Sequence, residues 1–170
     1  RFAFDGAGSS QDPIDKEGLA NFLSSMLDEG AGDLTAQRFQ ERMEELALRM
    51  SFEDGRDAFY GSFETLTVNR DEATKLLAVA INKPRFDAEA IERMRKQHLA
   101  TLSAAARDPT RVATEQWMAA AFTGHPYGRP ANGTPDSVRS IAKSDLEKLH
   151  RRAFAKENLR VVVVGDIDAA

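Results

Sequence analysis

Cysteine is missing from all 170 residues, which excludes disulfides, thiolate nucleophiles and cysteine-based zinc sites together. Histidine is scarce: His98, His125 and His150 are the three, and no two stand at the spacing of a shared metal-ligand pair. No apolar run approaches the roughly 20 residues that a membrane-spanning helix needs. An excess of positive charge is lacking too. With 23 Lys and Arg against 27 Asp and Glu the net charge is −4, and no basic cluster interleaved with aromatics offers a nucleic-acid footprint. Internal repeats and low-complexity linkers are likewise missing. What is present, 42% hydrophobic and 29% charged residues, suits one compact globular domain over 1–170.

The order of elements reads as α+β: a largely antiparallel sheet with helices packed on one face, incomplete at both ends. "RFAF" is a strand end and "GAGSS" is a turn, since it lacks the strand, Lys and helix of a phosphate loop. A helix is expected from about Asp15 to Asp28, stopped by Gly30 and Gly32, and a second from about Thr35 to Ala47 burying Phe39, Met43 and Leu46. "LRMSFED" and "DAFYGSFETLTV" form the clearest strand pair, joined by "DGRD". A helix capped by Asn69 or Asp71 ends at Pro84, a long helix spans about Asp87 to Ala106, and another spans Thr110 to Phe122 with Trp117 in the core. Two short helices begin at Pro135-Asp136 and Ser144. "LRVVVVGDID" is expected as a closing strand buried on both faces, because four valines in a row leave no polar side. The chain opens inside a strand and stops just after one, so it is expected to be a piece of a longer protein.

Within the first helix, Asn21, Ser24 and Ser25 stand at i, i+3 and i+4, a polar stripe on an otherwise apolar segment. By itself this stripe is a partly solvated face. Elsewhere, Glu147 and His150 form a single Glu-x-x-His, read as a surface pair, because a di-metal carboxylate site needs two such pairs. His98 on the long helix is read as structural, and His125 and Tyr127 in "HPYG" as residues that fix their loop. No nucleophile–base pair is visible.

Taken together, "GLANFLSSML", "NKPRF", "HPYGRP" with its following glycine, and "VVVVGDID", in that order and spacing, resemble the pitrilysin (insulinase, mitochondrial processing peptidase) family over essentially the whole chain. Active members carry H-x-x-E-H on the first helix: the two His bind one Zn²⁺ from the same face, and the Glu activates its water. The resemblance places Asn21 and Ser25 at the two His positions and Ser24 at that of the base. On the long helix, Met94 and Thr101 fall at the two acidic positions, Thr101 at that of the third ligand. An amide and hydroxyls bind Zn²⁺ poorly, and a hydroxyl is no base near neutral pH. The implied chain is catalytically inactive and needs no cofactor of its own, with zinc expected only in a partner.

The resemblance also implies a role. Family members form a clam-like chamber of similar domains, sometimes divided between a zinc-bearing subunit and one that lacks the ligands. Peptide is held as an added strand on a sheet edge, here expected at Met50, Ser51, Phe52, Glu53 and Asp54. The expectation is a non-catalytic subunit that completes the chamber and helps bind peptide, partnered by a zinc-bearing homologue or by self-association. Periplasmic export is expected from family habit, with the cytoplasm as the alternative. The competing reading is a scaffold subunit of a larger complex with no peptidase role.

Overall fold

The computed structural model describes residues 1–167. Four antiparallel strands form the main sheet in the order β4-β5-β1-β6: β1 (Phe2–Asp5), β4 (Arg49–Asp54), β5 (Ala58–Glu64) and β6 (Leu159–Val161). Alternation decides which face is buried. Phe2, Phe4 and Phe59 point into the main core, with Phe52 packed against it. On the opposite face Glu53 pairs across with Tyr60, and both are exposed. Phe2 lies opposite Gly61, where an added Cβ would meet the Phe2 ring at 2.0 Å. The glycine leaves that ring room to lie across β5.

The core face is covered by α1 (Leu19–Ser24), α4 (Ala88–Ala105), α6 (Pro135–Ser140) and α7 (Lys143–Ala153), which contribute Phe22, Leu23, Ile91, Val138, Leu146 and Leu149. A smaller core gathers beside it. There α2 (Ala36–Glu45) and α3 (Arg70–Asn82) pack Phe39, Leu76 and Ala80 on Met50 and on the two-stranded ribbon of β2 (Gly30–Ala31) and β3 (Leu34–Thr35). The expected mixed fold, with helices covering one face of an antiparallel sheet, is the observed one. Helix α5 (Pro109–Ala121) buries none of its residues fully.

Four local expectations are corrected. The helix expected over 15–28 is a 3₁₀ turn at Ile14–Lys16 followed by the short α1, because Gly18 takes a left-handed φ of +87° between them. The closing strand ends at Val161 and Val164 is 93% exposed, because among the described residues β6 is an edge strand paired only with β1. The last residue of that expected strand, Asp168, lies outside the described residues. Trp117 is 63% exposed on α5 and touches Phe122 edge-on. His150 is not half of a surface pair: its Nε2 donates to the Ile81 carbonyl at 2.7 Å, and burial holds its pKa below the ordinary value.

Candidate functional site

The site is built around the start of α1. Gly18 must be glycine for two reasons, its φ of +87° and the Asn132 carbonyl oxygen that would sit 2.7 Å from an added Cβ. The first turn is capped from a distance by Asp12, whose carboxylate accepts the Gly18 and Ala20 N–H groups at 3.0 and 3.1 Å. Asp12 is 5% exposed, and burial pushes its pKa up to about 7 against the pull of those two donors. The charge of nearby Asp54 adds to the rise. No sequence signal marked Asp12, which stands in "QDP" as an ordinary turn residue.

The polar stripe on α1 resolves into three hydrogen bonds. Ser24 Oγ donates to the Asn21 carbonyl at 2.7 Å, and Ser25 Oγ donates to the Phe22 carbonyl at 2.8 Å. Such back-bonding competes with the helical ladder, and α1 stops at Ser24. Asn21 reaches outward instead: its Nδ2 donates to Asp54 Oδ1 at 2.6 Å, joining the helix to the last residue of β4. Burial raises the Asp54 pKa, while the Asn21 bond and the charges of His98 and Arg56 oppose the rise.

Helix α4 packs on α1 through rings. His98 stacks on Phe22 with centroids 5.9 Å apart and planes at 15°, and the Arg95 guanidinium lies 5.5 Å from the same ring centroid. His98 Nε2 donates to the Asn132 carbonyl at 2.9 Å, so that nitrogen carries the proton. Met94 packs against the main core. Thr101 lies three residues beyond His98 on the exposed side, and its hydroxyl donates to the Gln97 carbonyl of its own helix.

The positions assigned to the three metal ligands and the base thus hold an amide committed to Asp54 and three hydroxyls committed to backbone carbonyls. These residues do not fit zinc, which takes thiolate, imidazole or carboxylate. Among the described residues no group of three or more His, Cys, Asp or Glu is arranged to hold a metal ion.

The five residues expected on the sheet edge do form β4, and β4 is an edge strand of the main sheet. Met50 is buried in the smaller core, Ser51 Oγ and Ser62 Oγ share a cross-strand bond of 2.8 Å, Phe52 packs between the two cores and Glu53 faces solvent. The contact between Asp54 and Asn21 brings this edge against α1. The loop that carries Asn132 is pinned by Tyr127, whose hydroxyl donates to Asp57 at 2.5 Å, and by His125 Nδ1, which accepts the Tyr127 N–H.

Comparison with known proteins places this geometry. The non-peptidase homologue YmxG of Helicobacter pylori is 29% identical over 165 residues, covering 97% of this chain and 38% of its own length. A crystal structure described as the peptidase M16 inactive domain from Pseudomonas fluorescens superposes with a TM-score of 0.88 at 28% identity, covering 93% of this chain and 39% of that one. The periplasmic protease PqqL of Escherichia coli shares the fold, with a TM-score of 0.85 at 19% identity over 99% of this chain and 19% of its own. This chain therefore spans well under half the length of the curated relatives it matches, 38% and 37% for the first two. The family profile itself, insulinase (peptidase family M16), matches residues 6–135, which takes in α1, the β4 edge, α4 and the Asn132 loop. By that match this chain belongs to the insulinase family, peptidase family M16.

Proposed function

We propose that this chain is a non-catalytic part of a two-part M16 peptidase, one that offers the free edge of β4 to peptide and works beside a zinc-bearing homologue. The observation that carries the reading is the bond from Asn21 to Asp54. Where an active enzyme needs a free imidazole aimed at a metal, this chain spends the side chain on tying α1 to the end of β4. The helix keeps its place next to the edge strand without being able to activate water. A strand edge gives affinity through main-chain hydrogen bonds, which act on many sequences and need no reactive group. The relatives described as a non-peptidase homologue and an inactive domain agree with this division of labour. So does the coverage of less than two fifths of their length, which leaves room for further domains. The periplasm is the proposed compartment, in line with the description of PqqL.

The test has two arms. Affinity purification of the full-length protein from its native cells, followed by mass spectrometry, should recover a partner carrying H-x-x-E-H. Labelled extended peptides should bind the protein without being cut, and N-methylation of alternate peptide nitrogens should abolish binding, because it removes the main-chain donors. Cleavage of peptide by the purified chain in the absence of a partner would overturn the reading, as would binding that ignores N-methylation.

A further inference from the structure

A cleft of about 490 Å³ opens between α5, along Thr110 to Ala119, and the loop at 128–132 whose Asn132 abuts the α1 site. Its lining is biased in charge. Arg56, Arg111 and Arg129 face it together, against the single carboxylate of Glu115. Arg56 and Arg129 are half-buried, yet their guanidiniums donate only to neutral carbonyls. Arg56 donates to the Arg129 oxygen at 2.9 Å, and Arg129 to the Asp12 and Ser10 oxygens at 2.8 and 3.0 Å. None of the three arginines takes part in an ion pair within 4 Å among the described residues.

Apart from Glu115, the acids near the cleft accept hydrogen bonds from other groups. Asp54 accepts from Asn21, Asp57 from Tyr127 and Ser10, and Asp108 from the Thr110 and Arg111 N–H groups at the start of α5. Position adds to charge. Arg56 follows the end of β4 by two residues, and Asn132 at the other wall is the loop residue that holds His98. A strand laid on the free edge of β4 and continued past Asp54 would run toward Arg56, which stands two residues beyond the end of β4 and lines the cleft.

We propose that this cleft is a carboxylate subsite: it takes one carboxylate of a peptide seated on β4, held by Arg56 and Arg111 with the half-buried Arg129 behind them. Guanidinium recognises carboxylate through paired, charge-assisted hydrogen bonds, and a cleft of this size admits a chain end or one side chain. The carboxylate is the peptide's own C-terminus if the strand runs parallel to β4, and an acidic side chain if it runs antiparallel. The inference rests on the reading of β4 as a peptide edge.

The experiment separates the two. Fluorescence anisotropy would compare three labelled alternating Val/Thr hexapeptides: a C-terminal acid, its amide, and an amide with Glu at the second position. A fourth probe, an N-acetylated dipeptide acid too short to pair as a strand, would be titrated by NMR. At least one carboxylate-bearing hexapeptide should bind about tenfold or more tightly than the plain amide, and its identity assigns the source. Arg111→Gln should erase that preference while leaving the plain amide unchanged. Arg111 is exposed and its side chain makes no hydrogen bond among the described residues, so the variant should keep the fold, checked by circular dichroism. Equal binding of all three hexapeptides would overturn the subsite and leave the edge reading standing. Binding of the dipeptide acid alone, lost in Arg111→Gln, would support the subsite and sink the edge. A carboxylate preference that survives Arg111→Gln, or no binding of any probe, would overturn the proposal.

Discussion

Replacing Asp12 by Asn should change how stability depends on pH more than it changes stability itself. In the folded chain Asp12 holds its proton up to about pH 7, against an ordinary value of 3.8. The folded state therefore binds more protons than the unfolded chain between those values, and stability falls as pH rises through the window. The contribution is fully present below pH 3.8 and is lost by the time pH has passed about 7. A rise of about three pH units corresponds to about 4 kcal/mol, of which about 3 kcal/mol falls between pH 5 and 8. Asn cannot titrate, but it has one acceptor oxygen where Asp12 uses two, for Gly18 and Ala20. Leaving one buried N–H unpaired costs about 1–3 kcal/mol at every pH. Asp12→Asn should thus be the less stable protein at pH 5, and the gap should close or reverse by pH 8. Asp28 and Asp54 are also raised by burial and tilt the parent the same way, so the informative quantity is the difference between variant and parent. Urea unfolding followed by circular dichroism at pH 5, 6, 7 and 8 measures it. Parallel stability curves for the two proteins would refute the assignment of a buried, proton-holding carboxyl to Asp12.

Gly18→Ala should destabilise the chain by about 2–4 kcal/mol, since it forces a methyl against the Asn132 carbonyl at a left-handed φ; thermal unfolding checks this, and a shift within error would mean the α1 start can move freely. The quadruple change Asn21→His, Ser24→Glu, Ser25→His and Thr101→Glu restores the family's ligand types at the assigned positions. It should bind Zn²⁺ measurably better than the parent by calorimetry, with little or no peptidase activity, because hydrolysis also needs supporting groups around the ligands. A well-folded variant with no gain in metal binding would show that these four positions do not form one site. Gly61→Ala should displace the Phe2 ring and cost about 1–3 kcal/mol, read from chemical denaturation, whereas a neutral result would place that ring elsewhere.

How much of this was legible in the sequence varies by element, and the reasons are physical. The strand pair β4–β5 and the long α4 were readable, because alternation and helical periodicity record which side of an element can be buried. The bounds of helix α1 were not, since apolar residues at helical spacing carry no mark of a left-handed glycine or of serines bonded back to carbonyls. The valine run and Trp117 show the complementary limit: hydropathy states what would gain from being covered, not what covers it. At the site, Asn21, Ser24 and Ser25 could be singled out by spacing. The partner of Asn21 lies 33 residues away on another element, and nothing local announces it. Asp12 and its acceptor role were equally hidden, because they depend on where the chain returns.

The arrangement of the sheet also sets a timetable for biosynthesis. Strand β1 is an inner strand, flanked by β5 and β6, and its pairing with β6 joins residue 2 to residue 161. A ribosome adding roughly 5–20 residues per second needs roughly 8–30 s between those two positions. Within that interval β1 can pair with β5 once residues 58–64 are made, but its other edge stays open while α3 to α7 emerge. An exposed strand edge invites pairing with another chain. The nascent protein therefore carries one unpaired edge of β1 until β6 is made, and a chaperone that shields that single edge would serve it better than one that holds helices.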